Sequence, residues 1–465
     1  MSDAEKAADK IVVDKILTPV PTGATSGART FHVQVMDDAG NITDLGAKET
    51  LVDSQDPSLT INSVTTNSTE HRMSANSGKD VAILNVTITD DCRLNRTPGP
   101  TGTVLVDVYA TNEEEPEDAD WKLVHRAALV SLDAGSVRAA TAQNINVTYA
   151  QLAAAGLTVV GDGVQVYFMI KAKDDAQREG QSVLNKKVAF AEIDTVAPVC
   201  TSIALPTNKL FTNHADSYVG TDGEMTATNI QAYSFGVNVT DSGLTPAAAT
   251  LSYKAWIDAN ASAVSVPAGV VEKQYVAAIP YADLTFASAG VSGKDLYLHI
   301  EYTDDVNNKA IYDSDAFDYD ITAPQTHTIT SPDTTSNPSY SRQSTVTLGY
   351  ADDAVVNSKV HAYRLFGDIT TGLNSETPIT ETNAQWVAVA ADSSTVGVTI
   401  YYTPNADEPS LQAKTINVQY IDYAGNISTT ANAIGYLEEE DPAVSMVLKD
   451  EKGNIISDPA QGTHG

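Results

Sequence analysis

Acidic residues recur in this chain in three kinds of place, and the places matter more than the number. One kind ends a strand-like stretch: Asp90-Asp91 after Leu84, Val86 and Ile88; Asp241 after Phe235, Val237 and Val239; Asp352-Asp353 after Val346, Leu348 and Tyr350. A second opens a tight turn, as in Asp37-Asp38-Ala39-Gly40-Asn41, Asp174-Asp175, Asp304-Asp305 and Asp422-Tyr423-Ala424-Gly425-Asn426. A third precedes a proline: Asp53 and Asp56 before Pro57, Glu192 and Asp194 before Pro198, Asp318 and Asp320 before Pro324, and Glu439-Glu440-Asp441 before Pro442. Carboxylates that meet repel one another unless water or a cation lies between them, and oxygen ligands on loops suit calcium. The competing reading is that each Asp caps its own turn by hydrogen-bonding nearby backbone.

The elements that must position these residues are strands. Ile416, Val418 and Tyr420 alternate with Asn417 and Gln419, the period-two pattern of a half-buried strand, and the Asp422–Asn426 turn with its glycine predicts a β-hairpin over 416–428. Looser copies lie at 31–43, 166–181 and 296–311. The interval from Thr18-Pro19 to Asp37 equals that from Thr403-Pro404 to Asp422, so residues 1–53 read as the last strands of a repeat. The acidic-proline connectors then divide the chain into complete units at 54–194, 195–321 and 322–440, with 441–465 beginning a further one. Tyr149 to Gly156 and Tyr281 to Gly290 read as matching crossovers, each a helical turn closed by glycine. A short helix is expected over residues 2–10, where Ser2 and Glu5 have capping-box spacing.

Seven or so short alternating strands per unit predict an all-β chain of tandem two-sheet sandwiches. A connector entering such a sandwich by an edge strand reaches the pole that also carries the loop after the second strand and the closing hairpin. The candidate calcium ligands therefore fall into three groups. The first is Asp53, Asp56, Asp90, Asp91, Asp174 and Asp175; the second is Glu192, Asp194, Asp241, Asp304 and Asp305; the third is Asp318, Asp320, Asp352, Asp353 and Asp422. Glu113–Asp118, a proline-interrupted acidic run in a variable loop, reads as a solvated surface.

In the hairpin sequences DDAGN and DYAGN and the junctions TVAP and ITAP, the chain resembles the tandem immunoglobulin-like repeats of bacterial and archaeal surface proteins, adhesins and surface-layer proteins, and similar modules on phage particles. The resemblance implies an extended array with a structural role at a cell or virion surface. The inter-sheet cysteine pair of true immunoglobulin domains is absent. Trp256 occupies the expected third-strand position, whereas Trp121 and Trp386 fall later in their units.

Composition narrows the function further. With 60 acidic against 28 basic residues in 465, a net charge of −32 argues against nucleic-acid binding and against anionic membranes. No apolar run is long enough to span a bilayer, and MSDAEKAADK has no apolar core, so no N-terminal signal peptide is visible. Removal of a signal, an unconventional export route or assembly inside a cell as part of a virion would each account for that. The eight histidines lack HExxH spacing, and no P-loop, dinucleotide motif or nucleophile elbow is present; the expectation is a non-enzymatic protein. Cys92 and Cys200 fall in successive units and are not expected to bridge. Asn85 and Asn238 sit in glycosylation sequons on predicted solvent faces.

The ends carry the last expectation. Val444, Met446 and Leu448 alternate like a strand, and a partial repeat bearing Phe31, Val33 and Val35 needs one. The strand from one copy would complete the partial unit of the next, giving a head-to-tail homopolymer. An excerpt from a longer array is the rival account. Virion decoration and a glycan-binding adhesin stalk, with surface glycans or a host particle as partner, are the alternative roles.

Overall fold

The computed structural model describes residues 26–68, 71–94, 103–214, 227–241, 250–286, 292–390, 393–405, 411–439, 449 and 451–453, without the side chains of residues 31, 50, 51 and 127–129. The chain is all-β. Gly27–Met36 and Ile42–Val52 form an antiparallel hairpin that pairs with no other strand among the described residues, with a bulge between His32 and Gln34. Three two-sheet sandwiches follow.

The first sandwich shows why the strands form where they do. In Val81–Thr89 every second side chain (Ala82, Leu84, Val86, Ile88) is fully buried. Such a side chain contributes roughly 1.5–3 kcal/mol when its apolar area leaves water. This strand is central between Ser58–Thr66 and Ala139–Thr148. The facing sheet runs in the order Arg72–Met73, Phe190–Asp194, Asp162–Lys173, Thr103–Thr111, Lys122–Ser131. The core lies between the two sheets. The expected crossover helix is present as Tyr149–Ala154, capped by Thr148 and closed by Gly156 at φ +79°.

The second sandwich packs Val199–Ile203, Ser234–Thr240 and Ala278–Pro280 against a sheet built around Leu251–Asp258 and Gly293–Asp304. Its crossover is only a 3-10 turn at Tyr281–Asp283, and Gly290 lies outside the described residues. The third packs Thr326–Thr330, Gln343–Ala351 and Thr395–Tyr402 against Val360–Gly367, Leu411–Asp422 and Ala431–Glu438. Ile416, Val418 and Tyr420 are fully buried in it, as their alternation requires.

One detail of register positions the site. Arg72–Met73 pairs in parallel with the strand that runs into the next connector, Arg72 opposite Glu192 and Met73 opposite Ile193. The second sandwich repeats the device: Leu210–Thr212 pairs in parallel with Phe317–Tyr319, Leu210 opposite Asp318 and Phe211 opposite Tyr319. A short strand thus holds each outgoing connector. The helix expected over 2–10 and the strand expected around Val444, Met446 and Leu448 lie outside the described residues.

Candidate cation-binding joints

Each closing hairpin opens on an Asp whose carboxylate organises its own turn. At Asp422, Oδ1 accepts from the Asn426 backbone N–H at 2.8 Å and Oδ2 from Asn426 Nδ2 at 2.9 Å. Asp304 binds Asn308 in the same two ways, both at 2.8 Å, and so does Asp37 with Asn41. At Asp174 the fifth residue is Arg178, whose backbone N–H reaches Asp174 Oδ1 at 2.9 Å, while Asp174 Oδ2 is buried without a hydrogen-bond partner. The fourth turn residue is left-handed in all four: Gly40, Gln177, Asn307 and Gly425 lie at φ +87°, +67°, +66° and +88°. Glycine meets that need at two of them, and Asn307 and Gln177 meet it at the others.

The turn asparagines also reach out of their own sandwich. Asn308 Nδ2 donates to the Asp194 carbonyl at 3.2 Å, and Asn76 Nδ2 of the first sandwich donates to Asn308 Oδ1 at 3.0 Å. Asn426 Nδ2 donates to Asp320 Oδ1 at 3.3 Å, and His214 Nε2 of the second sandwich donates to Asn426 Oδ1 at 2.9 Å. One side chain therefore links turn, connector and preceding sandwich. These residues were missed in the sequence reading, although the recurring Asn at the fifth turn position was a visible signal.

The structure brings connector, loop and hairpin carboxylates together at the first two poles, and connector and loop carboxylates at the third, where Asp422 is held by Asn426 outside the cluster. Asp53, Asp90 and Asp174 bring carboxylate oxygens within 4.8 Å of one another, and Asp53 and Asp91 do so with the Cys92 thiol; Asp194, Asp241 and Asp304 form the second group, and Asp320, Asp352 and Asp353 the third. The remaining candidates stand apart. Asp56 pairs with Arg178 at 2.9 Å and Asp175 with Arg93 at 3.3 Å, both in exposed pairs. Asp318 accepts from the Asp295 backbone N–H at 3.0 Å. Glu192 and Asp305 face Arg72, at 3.5 and 3.7 Å.

Burial makes these groups costly to ionise. It pushes Asp304 up to about 7, Asp352 up to about 6 and Asp422 up to about 8, the last against the lowering effect of the Asn426 hydrogen bonds. Asp90, Asp174 and Asp320 shift the same way for the same reason. Buried oxygens without a hydrogen-bond partner among the described residues include Asp90 Oδ2 and Asp174 Oδ2 where the N-terminal hairpin's connector meets the first sandwich, and Asp320 Oδ2, Asp352 Oδ1 and Asp353 Oδ2 between the second and third sandwiches. Turn chemistry accounts for both oxygens of Asp304 and Asp422. It leaves one oxygen each of Asp320, Asp352 and Asp353 without a donor, and an oxygen-only donor set of this kind fits a hard divalent cation.

Among the described residues no helix is long and apolar enough to cross a membrane. Glu114 and Glu115 of the acidic run pair with Lys186 at the surface.

No family model matches the chain, and no curated protein sequence matches it. Among solved structures it is similar to the tetra-tandem repeat in the extending region of a large adhesion protein, at 13% identity and a TM-score of 0.29 over 90% of this chain and 83% of that one. It is also similar to a Ca2+-stabilised adhesin that helps an Antarctic bacterium reach out and bind ice, at 13% identity and a TM-score of 0.36 over 88% and 82% of the two chains. A third is a structure of a 1.5-MDa bacterial ice-binding adhesin concerned with host cell surface retention, at 11% identity and 0.32 over 83% and 98%. Similarity of this size assigns no ligand or activity to this chain.

Proposed function

We propose that this chain is a non-enzymatic stretch of a cell-surface adhesin stalk, a run of immunoglobulin-like sandwiches in which calcium stiffens the joint between the second and third. The strand order of each unit, three strands in the first two and four in the third facing a sheet that holds the closing hairpin, supports the immunoglobulin-like reading. The unit boundaries we adopt are 53/54, 194/195, 321/322 and 440/441. The observation that carries the proposal is the joint between the second and third sandwiches. There Asp320 from the connector meets Asp352 and Asp353 from the third sandwich, each with a buried oxygen lacking a hydrogen-bond donor. An ion held by all three would tie connector to sandwich, with carbonyls and water completing its shell. A stalk outside the cell meets calcium at about 1 mM, within reach of the modest affinities of extracellular sites.

Calorimetric titration of the chelated protein with calcium, followed by thermal unfolding, tests this. Binding heat and a higher unfolding temperature are expected. A flat titration together with an unchanged unfolding curve overturns it.

A second reading concerns assembly and rests on the isolated hairpin. Val33, Met36, Ile42 and Leu45 are exposed on a two-stranded sheet with no facing sheet among the described residues, and Val35 is half-buried. Under this reading residues 442–448 of a second copy cover that hairpin. Deleting 442–465 then abolishes self-association in sedimentation velocity, and unaltered self-association of the deleted chain rules the reading out.

A further inference from the structure

We infer that Arg72 is a resident cation that closes the joint between the first and second sandwiches without dissolved metal, so that calcium governs the joint between the second and third. The inference rests on the cation reading above and specifies which joint that cation controls.

The geometry of the two joints carries it. Arg72 belongs to the first sandwich, and its side chain is 1% exposed. Its Nη1 lies 2.9 Å from Asp194 Oδ2 of the connector, and 3.7 and 3.8 Å from Asp305 Oδ1 and Asp241 Oδ2 of the second sandwich. Nε faces Glu192 at 3.5 Å. A guanidinium brings one positive charge and five donors in a fixed fork, so it offsets part of the carboxylate repulsion at this pole with a group that cannot diffuse away. The Ser68 hydroxyl, from the same sandwich as Arg72, adds a hydrogen bond to Asp305 Oδ2 at 2.5 Å.

Register identifies the equivalent position at the next joint. Arg72 stands opposite Glu192, two residues before Asp194; Leu210 stands opposite Asp318, two residues before Asp320. Leucine replaces the guanidinium, and among the described residues no Lys or Arg side chain pairs with Asp320, Asp352, Asp353 or Asp422. The contrast extends to single atoms. At the first of these joints the Asp241 and Asp305 oxygens lie within ion-pair range of Nη1, at 3.8 and 3.7 Å, whereas at the second Asp320, Asp352 and Asp353 share a pole with no guanidinium among the described residues. Removing one partner from a buried charge cluster leaves uncompensated charge, which makes Arg72 a closing element rather than surface decoration.

The test measures each joint separately in the full chain. Nitroxide labels are placed at exposed positions on a Cys92→Ser, Cys200→Ser background: Val183→Cys with Val264→Cys across the first joint, and Val264→Cys with Tyr340→Cys across the second. Pulsed electron spin resonance then reports the distance distribution in chelator and in calcium. The expected result is a narrow distribution across the first joint in both conditions, and one across the second that is broad in chelator and narrows with calcium. Arg72→Gln should broaden the first joint in chelator, and Arg72→Lys, which keeps the charge, should broaden it less. A first joint that is broad in chelator in the otherwise native chain overturns the inference, whether or not the variants fold. A second joint indifferent to calcium overturns the cation reading instead, while a first joint loosened by Arg72→Gln would still uphold Arg72 as the clamp.

Discussion

Arg72 and Asp305 belong to different sandwiches, yet Arg72 Nη1 lies 3.7 Å from Asp305 Oδ1 with both side chains more than nine-tenths buried. An ion pair this enclosed is not the usual solvent-screened surface pair, whose contribution is about 0–1 kcal/mol. Where the chain supplies a cation, the joint closes on its own charges. Where it supplies only carboxylates, the joint depends on what the solution offers, and that dependence is measurable.

Stability should respond to pH in a direction set by burial. Asp304, Asp352 and Asp422 are raised to about 7, 6 and 8 in the folded chain, above the 3.8 of an unperturbed Asp. A raised folded value means that the native state binds protons more tightly than the unfolded one. The associated stability is full below about pH 4 and is lost as pH rises from there to about 8. Unfolding temperatures in chelator should therefore fall between pH 5 and pH 8, and calcium should oppose the fall by stabilising the ionised carboxylates. A melting temperature in chelator that climbs over this interval would contradict the assignment.

Asn426→Ala removes the amide that donates to Asp422 Oδ2 and Asp320 Oδ1 and receives from His214. The backbone bond from residue 426 to Asp422 Oδ1 survives, so the turn should still form. Asp320 Oδ1 keeps the Thr322 backbone N–H at 3.0 Å, whereas Asp422 Oδ2 loses its donor while buried, which costs roughly 1–3 kcal/mol. Urea unfolding should place that loss in the third sandwich, seen as a lower midpoint at an unchanged slope.

Gly180→Ala tests how closely the first connector packs. A Cβ at Gly180 would lie 1.9 Å from the Pro57 carbonyl oxygen and 2.9 Å from Leu59 Cδ1, an overlap the backbone must move to relieve. Overpacking of this kind costs about 1–3 kcal/mol. Gly372→Ala, whose Cβ meets nothing within 4 Å, is the control and should leave the unfolding midpoint nearly unchanged. Equal effects of the two substitutions would show that the connector yields freely.

Much of the molecule was legible in local pattern, because a strand's period of two sorts its faces without reference to anything distant. That is why Leu84, Val86 and Ile88, and likewise Ile416, Val418 and Tyr420, were read as core from the chain alone, and why the Asp422–Asn426 hairpin was visible. The convergence of Asp53, Asp90 and Asp174, or of Asp320, Asp352 and Asp353, was also within reach, since the order of connector, loop and hairpin in a sandwich constrains which ends meet. Only the tertiary structure decided how each carboxylate is used. Asp318 and Glu192 occupy matching positions before their connectors, yet one takes the Asp295 backbone N–H and the other faces a guanidinium. Arg72 lies in a two-residue strand with no periodicity to reveal it. Its role follows from a parallel register with a segment far along the chain and from burial between two sandwiches, and neither is encoded in the residues beside it.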